Sequence, residues 1–253
     1  MTVIGVALAL IVGLVLGLLG GGGSILAVPI FLYVFHVPPK PAIAMSLVVV
    51  GMSAFIGFLT HWRQGTVSVR IAVMFGALAM VGAFGGARIA RFVPAQVQLA
   101  MFAVFAVTAS VLMLRDSLRP RRGDTPGVEH QPHFSPLLGV EAVGVGVLTA
   151  LIGAGGGFVI VPALVLLGDV PVRTAVGSSL LIIAMNATSG VVGYLGQVEF
   201  DWVLVGWFTG VAAIGAVTGT RLMRKLPAAR IKQGFAIMIL VLGAYLVIRR
   251  LTQ

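Results

Sequence analysis

The stretch LGLLGGGGSILAVPIFL, residues 16–32, sets four consecutive glycines inside an apolar run. Each glycine in a helix interior costs about 1 kcal/mol relative to alanine. No charged residue occurs before Lys40. As one straight helix, residues 2–35 would span about 51 Å at 1.5 Å per residue. A bilayer's hydrocarbon core is about 30 Å thick. The chain must therefore break, and the glycines are the break. Two pieces of about 24 Å remain at the same rise, short enough for tilted crossings or a re-entrant pair.

The rest of the 253 residues carries the same character: 59% are hydrophobic and 9% charged, where a soluble domain carries about 25% charged. Long uncharged runs alternate with short basic segments, the pattern of an all-α polytopic membrane protein. With no cysteine, disulfide and thiolate-metal chemistry are excluded. The net charge of +10 comes from Lys and Arg at the ends of apolar spans. That is topology charge rather than a nucleic-acid surface. Residues 1–19 hold no Lys or Arg, so the start does not read as a cleaved signal peptide.

Shifting the sequence by 133 residues lays one half on the other without a gap. Gly13 meets Gly146, Gly20 meets Gly153, Gly22 meets Gly155, Gly23 meets Gly156 and Pro29 meets Pro162. Further along, Pro38, Ser46, Gly57 and Gln64 meet Pro171, Ser179, Gly190 and Gln197. Gly82, Gly86, Arg88 and Pro94 meet Gly215, Gly219, Arg221 and Pro227. The predicted units are a first transmembrane repeat over 1–114, a polar linker over 115–136 and a second repeat over 137–253. Apolar spans cover roughly 2–19, 24–36, 42–61, 69–90 and 96–114, then 137–152, 158–168, 174–195, 202–223 and 229–248.

Cytoplasmic loops collect Lys and Arg, so charge discriminates between parallel and inverted repeats. An even number of crossings per half divides the 17 cations 8 against 9, which is no bias. An odd number, three or five, puts 12 on one side: Arg63, Arg70, the four linker arginines, Arg173, Arg221, Arg224, Lys225, Arg230 and Lys232. Lys40, Arg88, Arg91, Arg249 and Arg250 remain opposite. The expectation is inverted repeats, with a cytoplasmic linker and both termini outside. Inverted repeats with broken helices mark transporters, and irregular backbone at membrane depth lines a cavity or is buried by protein. The two breaks are therefore expected to face each other near mid-depth.

After each break a short helix starts, near Ser24 and Phe158. Its first amides lack intrahelical partners, and its N-terminus is partly positive. Gly21, Gly22, Gly23, Gly155, Gly156 and Gly157 would let an anion approach those amides. The bland reading is that the glycines only let helices pack. Ser46, Ser178 and Ser179 open the next helix of each half, and Ser53 and Asn186 are matched two turns further in. They are candidates for the same anion; the competing role is bonding back to helix carbonyls or joining helices. Gln64 and Gln197 close that helix as gate candidates or interfacial amides. Gly82/Gly86 and Gly215/Gly219 read as helix-packing pairs. Arg88 and Arg221 after them read as snorkelling side chains, with a gating role as the alternative. Glu141 is either near-surface or a buried carrier of a coupling proton. No P-loop pattern follows the glycines. No intramembrane nucleophile–base pair or metal cluster is apparent, which argues against an enzyme. No cofactor is expected.

Two glycine-rich breaks each followed by proline, with Gly-x-x-x-Gly-x-Arg later in each half, resemble the sulfite exporter TauE/SafE family over nearly the whole chain. The resemblance implies an inner-membrane permease for sulfite or organosulfur anions such as sulfonates. A small anionic substrate, the lipid bilayer and a coupling proton or cation are the partners this implies. Alternating access is the favoured mechanism, and an uncoupled anion channel is the alternative.

Overall fold

A computed structural model describes residues 3–19, 23–102, 104, 136–153, 156–166 and 170–223. The linker, the end of the fifth predicted span, the last span (229–248) and the glycines Gly21, Gly22 and Gly155 lie outside the described residues. The first half contributes α1 (Val3–Leu19), α2 (Ser24–Tyr33), α3 (Pro39–Arg63) and α4 (Val69–Ala90). The second contributes α5 (Pro136–Ile152), α6 (Gly157–Leu166), α7 (Val172–Tyr194) and α8 (Trp202–Met223). Residues 95–102 are helical as well. Every one of α5 to α8 starts 133 residues after its counterpart. Among the described residues, four helices, α3, α4, α7 and α8, are long and apolar enough to cross a membrane. The glycine break separates α1 from α2 and α5 from α6, as the sequence predicts.

Proline sets two matched starts. Pro38 and Pro171 stand at the N-caps of α3 and α7, where a missing N–H costs nothing. Proline also lies inside α2 at Pro29, where it keeps the helix short.

Glycines decide how the helices meet. Gly13 and Gly17 of α1 lie directly against Ala212 and Ala216 of α8, while Gly215 and Gly219 lie against Leu10 and Leu14. The second seam repeats this. Gly146 of α5 lies on Ala79 of α4, and Gly82 and Gly86 lie on Val143 and Val147. In each seam a Cβ would overlap a backbone carbonyl, so the axes approach as only small residues permit. The glycine pairs are therefore packing surfaces, as read from the sequence. Each seam joins the first helix of one half to the fourth helix of the other.

Contact order gives helix direction. Along α1 and α8, and along α4 and α5, the contacting residues advance together. So do those of α4 and α7: Gly76 faces Met185, the Ser189 hydroxyl donates to the Met80 carbonyl at 2.7 Å, and Ala87 faces Gly193. Between α3 and α7 the order reverses. Leu47 meets Gly190, Gly51 meets Ala187 and Gly57 meets Leu180. These matched helices run antiparallel and cross at the centre of the bundle.

Candidate functional site

The centre of that crossing is polar. Gly51 lies against Ala187, and beside them stand Ser53 on α3 and Asn186 on α7, a matched pair. Both residues are wholly buried. Ser53 Oγ, Asn186 Nδ2 and Asn186 Oδ1 have no hydrogen-bond partner. A buried amide without partners costs about 1–3 kcal/mol on protein mutational scales, so these atoms are an energetic cost that a polar ligand could relieve.

The second break is held by unusual backbone. Gly153 has φ 75° and Gly156 φ 67°, a region that only glycine enters without strain. The Gly153 N–H donates to the Thr149 carbonyl at 2.8 Å, closing α5. The Gly156 carbonyl accepts from the Ile160 N–H at 3.1 Å, opening α6. The Ser46 hydroxyl lies 2.8 Å from the Gly153 carbonyl and 2.6 Å from the Ile43 carbonyl. A hydroxyl has one hydrogen, so Ser46 is committed to backbone and seats the break against α3. Ser179 donates to the Val176 carbonyl at 2.8 Å, the matching bond in the second half. Ser178 accepts from the Ser68 N–H at 2.9 Å and ties the start of α7 to the start of α4. These serines organise backbone, the competing role raised from the sequence.

The expectation that the two breaks face each other at mid-depth is not met. Ser46, which touches Gly153, precedes Ser53 by seven residues, about 10 Å of helix. The end of α1 that leads into the first break lies toward the other end. Gly17, which lies against Ala216 and Thr220 of α8, is near the level of Gly57, four residues beyond Ser53. Antiparallel α3 and α7 thus set Gly17 and Gly153 on opposite sides of the centre. Gly23 rests against Val12 and Leu16 of α1, and Gly156 against the matched Val145 and Thr149. Ser24, at the start of α2, is buried.

The flanking candidates take separate positions. Gln197 is half-buried and donates to the Gly193 and Ala87 carbonyls, joining α7 to α4. Gln64 is half-buried at the C-cap of α3. Arg88 and Arg221 are exposed; Arg88 stands 5.3 Å from the centre of the Phe84 ring. Glu141 is half-buried, with Oε2 buried and unpartnered. The ends of the helices differ in charge. Arg63, Arg70, Arg173 and Arg221 share the end where α4 and α7 begin. At the other end stand Lys40, Arg88 and Arg91 with Glu199 and Asp201; there Lys40 Nζ donates to the Arg91 carbonyl at 3.1 Å.

Other polar groups were not singled out as site residues from the sequence. His61 and Tyr194, matched positions near the ends of α3 and α7, are 2% and 1% exposed. The Tyr194 hydroxyl donates to the Ala150 carbonyl at 2.9 Å. His61 Nδ1 pairs with Thr66 Oγ1 at 2.8 Å. Its ring also lies near the Gly17 backbone, the counterpart of Ala150, without closing a full hydrogen bond there. Thr149, Thr209 and Gln98 each hold a buried, unpartnered oxygen. The repeat comparison hid Thr149 because its counterpart is Leu16; the available signal was a lone hydroxyl one turn before a glycine break.

Matched broken helices around a buried polar crossing suit a solute carrier, and the comparisons with known proteins agree. The family model described as sulfite exporter TauE/SafE matches residues 5–246. The chain belongs to the TauE/SafE family. A relative named probable membrane transporter protein in Xylella fastidiosa (strain 9a5c) is 34% identical over 245 residues, 94% of this chain and 92% of the relative. Probable membrane transporter protein YdhB of Bacillus subtilis (strain 168) is 25% identical over 224 residues, covering 88% of this chain and 90% of its own length. An archaeal relative, probable membrane transporter protein MJ0441 of Methanocaldococcus jannaschii, is 27% identical over 198 residues, 74% of this chain and 72% of its own. No solved structure matches. Membership of the TauE/SafE family makes the chain an integral membrane transporter.

Proposed function

We propose that this transporter carries a small sulfur-containing anion, such as sulfite or an organosulfonate, by alternating access. The observation that carries the reading is the matched pair Ser53 and Asn186. It lies where the antiparallel α3 and α7 cross, with three buried polar atoms unpartnered. Neutral donors suit an anion that must also leave, because a buried Lys or Arg would hold it far more strongly. The amides at the starts of α2 and α6 supply partial positive charge on either side of the pair, among Gly21, Gly22, Gly23, Ser24, Gly155, Gly156 and Gly157. Ser46, Ser178 and Ser179 hold the surrounding backbone.

The two repeats are inverted in the inner membrane in this reading, with the linker cytoplasmic and the termini outside. The antiparallel α3 and α7 support it. So does the end at which Arg63, Arg70, Arg173 and Arg221 gather, since cations collect on the cytoplasmic side. Gln64 and Gln197 flank the path as gate candidates, with Arg88 and Arg221 at its exposed margins. Glu141, with its unpartnered Oε2, is the candidate for proton coupling.

The test is binding by the purified protein of sulfite, sulfate, thiosulfate, a small sulfonate, a carboxylate and chloride, followed by flux of the preferred anion in liposomes. Selective thermal stabilisation by a sulfur oxyanion, with flux of that anion, is expected. A response to none of them would refute the substrate class.

A further inference from the structure

We propose that the two glycine breaks are not equivalent: the second alone binds an anion oxygen, between the Thr149 hydroxyl and the first amides of α6. Thr149 is 2% exposed and its Oγ1 has no partner. A threonine inside a helix ordinarily bonds back to the carbonyl four residues earlier. Thr188 does so with Ala184 at 2.8 Å, Thr218 with Ile214 at 3.0 Å and Thr60 with Ile56 at 3.2 Å. Thr149 does not, and its hydroxyl is turned to Gly156 instead. A Cβ there would overlap Oγ1, so glycine keeps the approach open. Gly156 immediately precedes α6, a ten-residue helix whose first amides lack intrahelical acceptors. The hydroxyl thus faces the residue that opens α6.

The first half has no counterpart to this arrangement. Leu16 stands where Thr149 stands, is wholly buried and packs against Gly23. The first break therefore meets hydrocarbon where the second meets an unpartnered donor. The Thr149 position lies on the side of the crossing where Lys40, Arg88 and Arg91 stand with Glu199 and Asp201. An anion held there would wait on one side of the transporter only.

This rests on the anion-carrier reading, and the experiment separates the two. Sulfite binding to the purified full-length protein is measured by titration calorimetry for wild type, Thr149→Val, Thr149→Ser, Leu16→Val and Asn186→Val. Valine keeps the shape of threonine and removes the hydroxyl. The Thr149→Val change is expected to weaken binding about tenfold, the scale of one hydrogen bond to a charged group. Thr149→Ser and Leu16→Val are expected to bind within about twofold of wild type. Should the valine variant fail to fold, Thr149→Ala read against Thr149→Ser makes the same comparison. Wild-type affinity in Thr149→Val, with binding lost in Asn186→Val, overturns this inference and leaves the carrier reading standing. Absence of sulfite, thiosulfate and sulfonate binding in wild type overturns both.

Discussion

Replacing Asn186 by valine should make the protein more stable and functionally deaf. In the ligand-free protein the Asn186 amide is wholly buried with both polar atoms unpartnered. Such a group costs about 1–3 kcal/mol. Valine is close to asparagine in volume, so it neither opens a large cavity nor crowds Ala187 and Gly51. For a chain of this length 1 kcal/mol corresponds to about 2–4 °C in midpoint. The ligand-free midpoint of Asn186→Val should therefore rise by about 2–12 °C. Sulfite at a hundred times its dissociation constant should stabilise wild type by about 2.7 kcal/mol, and the variant hardly at all. The assay is thermal unfolding of detergent-purified protein with and without sulfite. A lower ligand-free midpoint with an undiminished sulfite response would refute the reasoning, because the amide would then be structural.

Tyr194→Phe removes the bond to the buried Ala150 carbonyl and should cost about 1–3 kcal/mol, read as a drop in unfolding midpoint; an unchanged midpoint would show that the carbonyl finds another donor. Gly82→Ala and Gly215→Ala each drive a methyl group into a carbonyl of the facing helix, so folded yield by size-exclusion chromatography should collapse, whereas Gly85→Ala, with nothing within 4 Å of its Cβ position, should be tolerated. The sequence has no cysteine, so single cysteines at Gln64 and Glu199 can be labelled without background; a membrane-impermeant reagent should reach the first only from the cytoplasm and the second only from outside. Labelling of both from one side would rule out the proposed orientation.

Much of the architecture was legible because duplication repeats its own punctuation. Pro38 and Pro171 start matched helices, Gly82 and Gly215 open matched seams, and the fixed offset located both. Depth was not legible. Where a break sits depends on which helix it packs against, and nothing in the glycine run announces that Ser46 will grip the Gly153 carbonyl. Matching also biased the reading toward residues present twice. It found Ser53 and Asn186, whose unpartnered atoms stand out in three dimensions. It passed over Thr149, whose counterpart is leucine. His61 and Tyr194 both close a span, a place where side chains usually meet the interface, yet neighbouring helices bury them.

The glycine seams bear on which parts of the molecule can move. Each sequence half surrenders its first helix to the other half's fourth, with backbone pressed on backbone. On the alternating-access proposal neither half is then expected to be a mechanical body. The bodies would be mixed, α1 and α3 with α8 and α5 and α7 with α4, and the slip would fall at the α3–α7 crossing. The unit that was duplicated would not be the unit that rocks. A cross-link from α1 to α8 should then leave flux intact, and one from α3 to α7 should stop it. The opposite result would return the motion to the halves themselves.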